Sequence, residues 1–384
     1  MSRPHTTAFL TLALLGASCV DDDGNIPPPP DGLTLVREVP VVENYGIHDT
    51  YVRAGLAFVL AWNTGVLIYD VGNGIRGGTP ENPGLVSSVP TTGGQAHNGW
   101  WFHNPNTSER TYFFVGQEGP GSIGSSSSGD IHVLDVSDLA NPVEVAFFHI
   151  DGAGPHNFWM DESREILYAA YYNAGVVALD VSGTLSGDLA TRELARFRPG
   201  GAGNTYTWSV QLSGGALYAI DMLSGLWRLT PDSTFAPVEG GGNVADRFSS
   251  DLWVHGSYAY SGTWGWFRRN GNSGNAAKVW RLDSGPAPVL VDSVIVSDVA
   301  AVSDVQVSDD GRLLVLSIEG FDSGGLFVYD LADPAHPVFL GAHAVATGLH
   351  TVTLATIGGR LYAFGARNPG GAALMIFDLT DVIP

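Results

Sequence analysis

The chain has 384 residues, with 50 Gly, 39 Asp or Glu and 18 Lys or Arg, so its formal net charge is −21. Apolar residues make up 44% of the chain and 10 Trp are present, which is enough to bury a large core and excludes global disorder. The sequence contains one Lys, Lys278, so it lacks the basic patches of proteins that bind nucleic acid or anionic membrane surfaces. The single Cys excludes an intrachain disulfide.

Residues 1–18 have the pattern of an export signal. Arg3 gives a short positive start, and the apolar run AFLTLALLGAS is too short for a stop-transfer helix. The run ends at Cys19, and LLGASC resembles the lipobox of bacterial lipoproteins, in which the Cys is lipidated and becomes the mature N-terminus. Ordinary signal-peptidase cleavage is the alternative. We expect an exported protein of the cell envelope whose membrane contact is this lipid, with inner or outer membrane left open.

Residues 19–32 contain an acidic cluster followed by four prolines, VDDDGNIPPPPDG. A charged segment stiffened by polyproline II structure is typical of a tether that holds a domain away from a membrane. The DDDGN cluster lacks the downstream Glu of a calcium loop. We therefore expect the folded domain to occupy residues 33–384.

One short unit recurs throughout residues 33–384. In each unit a second strand, led by a tight turn, precedes a third strand that alternates apolar residues and closes on Asp, or on Thr230 in the fourth copy. This third strand recurs at 65–71, 129–136, 175–181, 225–230, 277–283, 325–331 and 373–379. The first strands begin near His48, His97, His156, Thr207, Ser250, Ser303 and His350, at a mean spacing of about 50 residues. Three or four strands per unit, with no helical periodicity, predict an all-β, seven-bladed β-propeller.

The last unit predicts how the ring closes. It stops after its third strand, whereas LTLVREVPVV (33–42) at the start of the domain has no partner within the first unit. We expect 33–42 to pair with the third strand near 374–377 and to close the ring without leaving an edge. The closing Asp residues, which repeat in nearly every unit, are expected to cap the turns that follow them.

Two segments carry a family resemblance. LDVSDLANPVEV (134–145) and YDLADPAHPVFLG (329–341) resemble the LVIVD repeat, an apolar run followed by Asp-Val-Ser-Asp and Asn-Pro-Val. The resemblance extends over all seven units, and these two carry the full motif. It implies a bacterial exported or surface β-propeller, of a family rich in lipoproteins and mostly without an assigned activity.

The first strands of a propeller line its channel, so their starts are candidate site residues. These are His48, His97-Asn98, His156-Asn157, Trp208, Asp251, Asp304 and His350. The second strands end at the same face, where Glu118 lies. Units one, two, three and seven are contiguous in a ring, so the four histidines are expected to form one arc facing Trp208, Asp251 and Asp304.

Imidazoles that converge with carboxylates suit a transition metal such as Zn, or a small anion bound by protonated His. The predicted metal ligands are His97, His156, His350, His48 and Glu118. The alternative is that these polar side chains bond neighbouring loops and the channel holds only water.

A second candidate site is the loop TWGWFRRNGNSGN (263–275). Its Trp264, Trp266 and Arg268 could stack a sugar ring or hold a carboxylate. The alternative is that the aromatic rings pack on the neighbouring blade.

These observations favour a monomeric binding or interaction scaffold that takes a protein, small-molecule or glycan ligand at the propeller face. No phosphate-binding loop, His-Glu-x-x-His or Gly-x-Ser-x-Gly sequence is present. A metal-dependent enzyme that uses the His/Glu cluster is the alternative, and carbohydrate recognition by residues 263–275 is a third possibility.

Overall fold

The computed structural model describes residues 29–232, 235–243, 247–265, 271–320, 323–368 and 371–382. The predicted signal peptide, Cys19 and most of the predicted tether lie outside these ranges. Within them the chain is all-β, with one short 3-10 helix at Ala190–Arg192, and five blades of a propeller-like arrangement surround a common axis. None of the described helices is long and apolar enough to cross a membrane.

The strands follow the units of the sequence. The first strand, β1, is Thr34–Pro40. Unit one contains β2 (Asp49–Arg53), β3 (Leu56–Ala61), β4 (Gly65–Asp70) and β5 (Gly84–Val89). Unit two contains β6 (Ala96–Trp101), β7 (Tyr112–Gln117), β8 (Gly119–Pro120), β9 (Ser127–Ser128), β10 (Ile131–Asp135) and β11 (Val143–Phe148). Unit three contains β12 (Phe158–Asp161), β13 (Ile166–Tyr171), β14 (Gly175–Asp180), β15 (Gly187–Asp188) and β16 (Glu193–Phe197).

The second half of the chain repeats the pattern. Unit four contains β17 (Thr207–Ser213), β18 (Ala216–Asp221), β19 (Gly225–Leu229) and β20 (Pro237–Gly242). Unit five contains β21 (Phe248–His255), β22 (Tyr258–Trp264), β23 (Ala276–Arg281) and β24 (Val289–Ile295). Unit six contains β25 (Ala301–Val307), β26 (Leu313–Glu319), β27 (Gly325–Asp330) and β28 (Val338–Ala344). Unit seven contains β29 (Thr351–Ile357), β30 (Arg360–Arg367) and β31 (Ala373–Asp378).

Five of the units form separate antiparallel sheets, namely units one, two, three, four and seven, and the short β15 adds a parallel strand to the edge of unit two. Units five and six share one eight-stranded sheet because the end of β22 pairs with the start of β25. The N-terminal strand β1 pairs antiparallel with β31, from Thr34 opposite Asp378 to Pro40 opposite Ala373. The predicted pairing of 33–42 with the third strand of the last unit is thus observed.

The third strand of each unit begins and ends in a way that its sequence explains. Gly65 starts β4 at φ +87°, and a Cβ there would lie 2.2 Å from the carbonyl oxygen of Val89, so a larger residue would clash with β5. At the other end of β4, Asp70 accepts the backbone N–H groups of Gly72 and Asn73. Asp135, Asp180, Asp330 and Asp378 cap their turns in the same way, which confirms the predicted role of five of the closing Asp residues.

The apolar side chains form cores between successive units. In the core between units one and two, Phe58 stacks on Phe113 with a ring centroid separation of 4.2 Å. In the core between units seven and one, Val59 packs with Phe364 and Ile376. Each first strand also contacts the first strand of the next unit, and β29 contacts β2. The first strands are therefore held side by side around the axis, with their starts at one face.

Candidate functional site

Four histidines from four different units form a row at the starts of the first strands. In the order His350, His48, His97 and His156, the centroids of neighbouring rings are 4.1, 3.7 and 4.2 Å apart. We call this set the imidazole row. Its members are 8%, 4%, 1% and 2% exposed, so all four are buried. The predicted histidine arc is present.

Hydrogen bonds at Nδ1 direct the Nε2 atoms of two members of the row. Nδ1 of His156 lies 2.8 Å from the carbonyl oxygen of Trp208 and must donate to it, because a carbonyl only accepts. Nδ1 of His350 bonds the Glu319 carboxylate. A neutral ring that donates from Nδ1 has its lone pair on Nε2. Contacts of this kind, from a carboxylate or backbone carbonyl to the far nitrogen, also orient metal-binding histidines.

Several nitrogen atoms of the row make no hydrogen bond to any described residue. They are Nδ1 of His48, both ring nitrogens of His97, and Nε2 of His156. The Nε2 atoms of His48 and His350 face each other at 2.8 Å. If this contact is a hydrogen bond, one of the two Nε2 atoms must carry a proton. If both atoms bind one metal ion, neither carries a proton. A buried polar atom without a partner is costly, so each of these nitrogen atoms needs an explanation.

Glu118 brings a carboxylate to the centre of the row. One of its oxygens, Oε2, lies 3.5 Å from Nε2 of His48 and 3.8 Å from Nε2 of His97. The other, Oε1, accepts a hydrogen bond from the Tyr172 hydroxyl. One donor atom from each of His48, His97 and Glu118 lies within 4.8 Å of the other two, and all three residues are buried. Among the described residues, this is the group whose geometry could hold a metal ion.

Burial sets the protonation states of this group. It lowers the pKa of His156 to about 3, and it lowers the pKa values of His48 and His97 well below the usual range, with the neighbouring imidazoles adding to the effect. Burial also raises the pKa of Glu118, against the hydrogen bond from Tyr172. His48, His97 and His156 are therefore neutral at physiological pH and keep the lone pairs that a metal requires. Their low pKa values argue against an anion held by these three rings, which would need protonated His.

Two cavities meet at the imidazole row, and His48, His156, His350 and Trp208 line both. The mouth cavity, of about 530 Å³, is lined on its outer side by Trp62, Tyr172, Tyr206 and Trp264. The channel cavity, of about 560 Å³, continues along the first strands toward Arg53 and Trp253. A ligand bound in either cavity could reach the imidazoles.

Asp251 and Asp304 line the channel cavity together with Asp49 and do not line the mouth cavity. Asp304 accepts the backbone N–H of Val352 at 2.7 Å, and Asp251 accepts the Asn157 amide at 2.8 Å. They share the channel cavity with the four histidines, one residue beyond the register of the histidines in their strands, and do not reach the mouth cavity. Burial raises the pKa of Asp49 to about 7 and that of Asp304 well above its usual range, where the Asp251 charge adds to the shift.

The remaining predicted site residues have mixed outcomes. Asn98 lines the channel cavity beside the row, and Trp208 packs on His156 with ring centroids 4.1 Å apart. The ring centroids of Trp264 and Trp208 are 6.1 Å apart, so the Trp264 ring packs toward the neighbouring unit. Trp264 also borders the mouth cavity. Trp266 and Arg268 lie outside the described residues.

The sequence does not predict three parts of this region. The bonds of Tyr172 to Glu118 and of His350 to Glu319 depend on side-chain reach between units. Asp49 follows His48 and lines the channel cavity, but its sequence position suggests no role. Alternation alone does not place the first-strand Trp residues; their spacing of three residues after His97 and His156 is the signal that puts them along the channel.

Comparison of the sequence with models of known protein families gives no match, and a comparison with curated proteins gives none either. The functional reading therefore depends on the geometry of the site.

Proposed function

We propose that this protein is an exported, lipid-anchored β-propeller that binds a divalent transition metal ion at the imidazole row, and through it a small ligand in the mouth cavity. The observation that carries the proposal is the set of buried, neutral imidazoles with unpartnered nitrogens around the Glu118 carboxylate. Neutral imidazole with one carboxylate is a donor set suited to Zn²⁺ and to other late divalent metals.

The distances support a shared ion. Two donor atoms that are each about 2.0–2.1 Å from one ion lie about 2.9 Å apart at a right angle and about 3.4 Å apart at the tetrahedral angle. The His48–His350 separation of 2.8 Å and the His48–Glu118 separation of 3.5 Å are close to these values. The bonds of His350 to Glu319 and of His156 to the Trp208 carbonyl would serve as the outer contacts that orient such ligands.

Metal content tests this proposal. The untagged mature protein, purified without chelators, should carry about one equivalent of a transition metal by inductively coupled plasma mass spectrometry. The double variant His97→Gln/His156→Gln should carry none, because two proposed imidazole ligands are removed. Gln has a volume similar to that of His, so the fold should be kept. A matched control, His149→Gln/His336→Gln, removes two exposed imidazoles and should retain the metal. Equal metal in all three proteins would contradict the proposal.

A second candidate is a metal-dependent enzyme with the same centre. The observation in its favour is the mouth cavity of about 530 Å³ directly beside His48 and Glu118, which would let a substrate reach open positions on the ion. Turnover that disappears on chelation and returns with one metal would support it, whereas ligand binding without turnover would favour the binding protein.

We further infer that the propeller has seven blades, with units five and six as separate blades that touch through β22 and β25. In support, the pairing of β1 with β31 has a bulge between Leu35 and Arg37, opposite the two residues that precede the closing Asp378. The pairing of the fourth strand β5 with β4 has a bulge at the same place, opposite the two residues that precede Asp70. A hydrogen bond of 2.9 Å from Thr351 Oγ1 to the His48 carbonyl joins units seven and one. The strand β1 would then be the fourth strand of blade seven and would close the ring.

The envelope location rests on the sequence. The lipobox-like LLGASC and the resemblance to LVIVD repeats both favour a bacterial lipoprotein anchored at Cys19. The wild-type protein should partition with membranes and incorporate a fatty-acid analogue, whereas Cys19→Ser should be soluble or stall during processing. Equal labelling of the two forms would exclude the anchor.

A further inference from the structure

The end of the channel away from the imidazole row has an aromatic wall. Tyr51, Trp100, Trp159 and Trp253 come from the first strands of units one, two, three and five and line the channel cavity. Successive ring centroids are 5.3, 5.2 and 6.2 Å apart, and the planes are tilted by 46°, 57° and 75°. All four are partly exposed rather than buried, so the tilted rings form a curved aromatic surface that the cavity can reach.

The charges along this cavity do not oppose a cation. Among the described lining residues, Arg53 is the only one with a permanent positive charge, and it is held in a two-point pair with Glu162, in which Nη2 donates to Oε2 at 3.0 Å. The pair is neutral overall. The carboxyl groups of Asp49, Asp251 and Asp304 lie deeper in the same cavity. A bound cation would favour their ionised forms, since an opposite charge nearby stabilises a carboxylate.

The polar side chains of the cavity are poorly placed to bind a neutral polyol. The Asn157 amide nitrogen donates to Asp251 Oδ1 at 2.8 Å, and the Thr50 hydroxyl donates to the Phe364 carbonyl oxygen at 2.9 Å. The Gln306 amide oxygen accepts the N–H of Leu354 at 2.9 Å. A sugar needs several donors and acceptors aimed at its hydroxyl groups, and these side chains already bond their neighbours. The buried Asn98 Oδ1 and Ser303 Oγ also line the cavity and have no hydrogen-bond partner among the described residues, but they stand at the starts of their strands rather than at the wall. The ring faces remain at the wall, and they match an organic cation.

From this juxtaposition we propose that the Tyr51–Trp100–Trp159–Trp253 wall is a binding site for a quaternary ammonium group. The faces of aromatic rings carry negative charge density and attract a cation within about 6 Å of the ring centre, and cages of several rings are a recurrent way to bind such groups. The site lies at the opposite end of the channel cavity from the imidazole row, so it does not depend on the proposed metal.

The test is calorimetric titration of the chelator-treated protein with tetramethylammonium and with choline. Choline is compared with 3,3-dimethyl-1-butanol, which has the same shape without the charge. We expect both cations to bind with one site and the neutral isostere to bind at least about tenfold more weakly, as cation–π attraction in a desolvated site requires. Glucose is titrated as the polyol alternative and should not bind.

Variants locate the site. Trp159, which touches both Trp100 and Trp253, is central to the wall. Trp159→Ala should weaken choline binding at least about tenfold, while Trp159→Phe, which keeps a ring and guards against a folding defect, should weaken it less. Trp227→Phe, in β19 and outside both cavities, should have no effect. Equal affinity for choline and its neutral isostere, preferential binding of glucose, no binding at millimolar concentration, or unchanged affinity in Trp159→Ala would overturn the proposal.

Discussion

Replacing His156 by Gln should change how the stability of the metal-free protein depends on pH. His156 is buried, and its pKa falls from the ordinary 6.5 to about 3 on folding. Between these two values the unfolded chain binds a proton at this position and the folded chain does not. Protonation therefore favours the unfolded state, and the free energy of unfolding decreases as the pH falls below about 6.5.

The size of the effect follows from the two pKa values. At pH 7.5 both states are neutral at His156, and the contribution is close to zero. At pH 5.0 the unfolded imidazole is protonated 1.5 pH units below its pKa, which at about 1.4 kcal/mol per unit destabilises the fold by about 2 kcal/mol. Gln has a similar volume and does not titrate, so the variant lacks this contribution.

The measurement is the free energy of unfolding from urea denaturation at pH 7.5, 6.0 and 5.0, with chelator present. From pH 7.5 to 5.0, the wild type should lose about 2 kcal/mol more than His156→Gln. The matched control is His255→Gln, which removes an exposed imidazole and should follow the wild type. If wild type and His156→Gln lose the same free energy, His156 titrates alike in the folded and unfolded chain, and the neutral, lone-pair-bearing row is refuted.

Three further predictions test other parts of the account. Asp49→Asn removes a carboxyl group whose pKa is raised to about 7, so on going from pH 7 to pH 5 the wild type should gain about 2 kcal/mol of unfolding free energy relative to the variant; parallel pH profiles would contradict the burial of that group. Glu118→Gln should weaken Zn²⁺ binding to the chelator-treated protein at least about tenfold, because it removes a proposed ligand, whereas the exposed Glu239→Gln should not; equal affinities would remove Glu118 from the site. Deletion of 33–42 unpairs β31 and exposes apolar surface, so it should cost several kcal/mol in urea denaturation; unchanged stability would show that β1 contributes little.

The arrangement of the imidazole row was predictable because it depends on backbone periodicity. Units of about 50 residues place His48, His97, His156 and His350 at one register, and any closed stack of such units brings equal registers to one face. The turn-capping Asp residues were predictable for the same reason, since they act within their own unit. The pairing of β1 with β31 followed from counting strands.

The direction of each side chain was not predictable from alternation, because the first strands contain irregularities near their starts. The pairing of β6 with β7 shifts between Ala96 and Asn98, beside His97, and that of β25 with β26 shifts between Val302 and Asp304, beside Ser303. Such bulges change the direction of the side chains that follow, and they fall at the same register in both strands. Asp304 therefore corresponds to Asn98 rather than to His97, and both line the channel cavity. Alternation does not assign the first-strand Trp residues, because a channel face and a core face share the same period of two.

The central claim is that the imidazole row holds a metal ion, and anomalous diffraction from crystals of the mature protein tests it most directly. Data collected above and below the absorption edge of the metal found in solution should give one anomalous peak. That peak should lie about 2.0–2.1 Å from imidazole nitrogens of at least two of His48, His97, His156 and His350, with a Glu118 oxygen as a further ligand. A fully loaded crystal with its peak elsewhere, or ordered density at the row with no anomalous signal, would contradict the account.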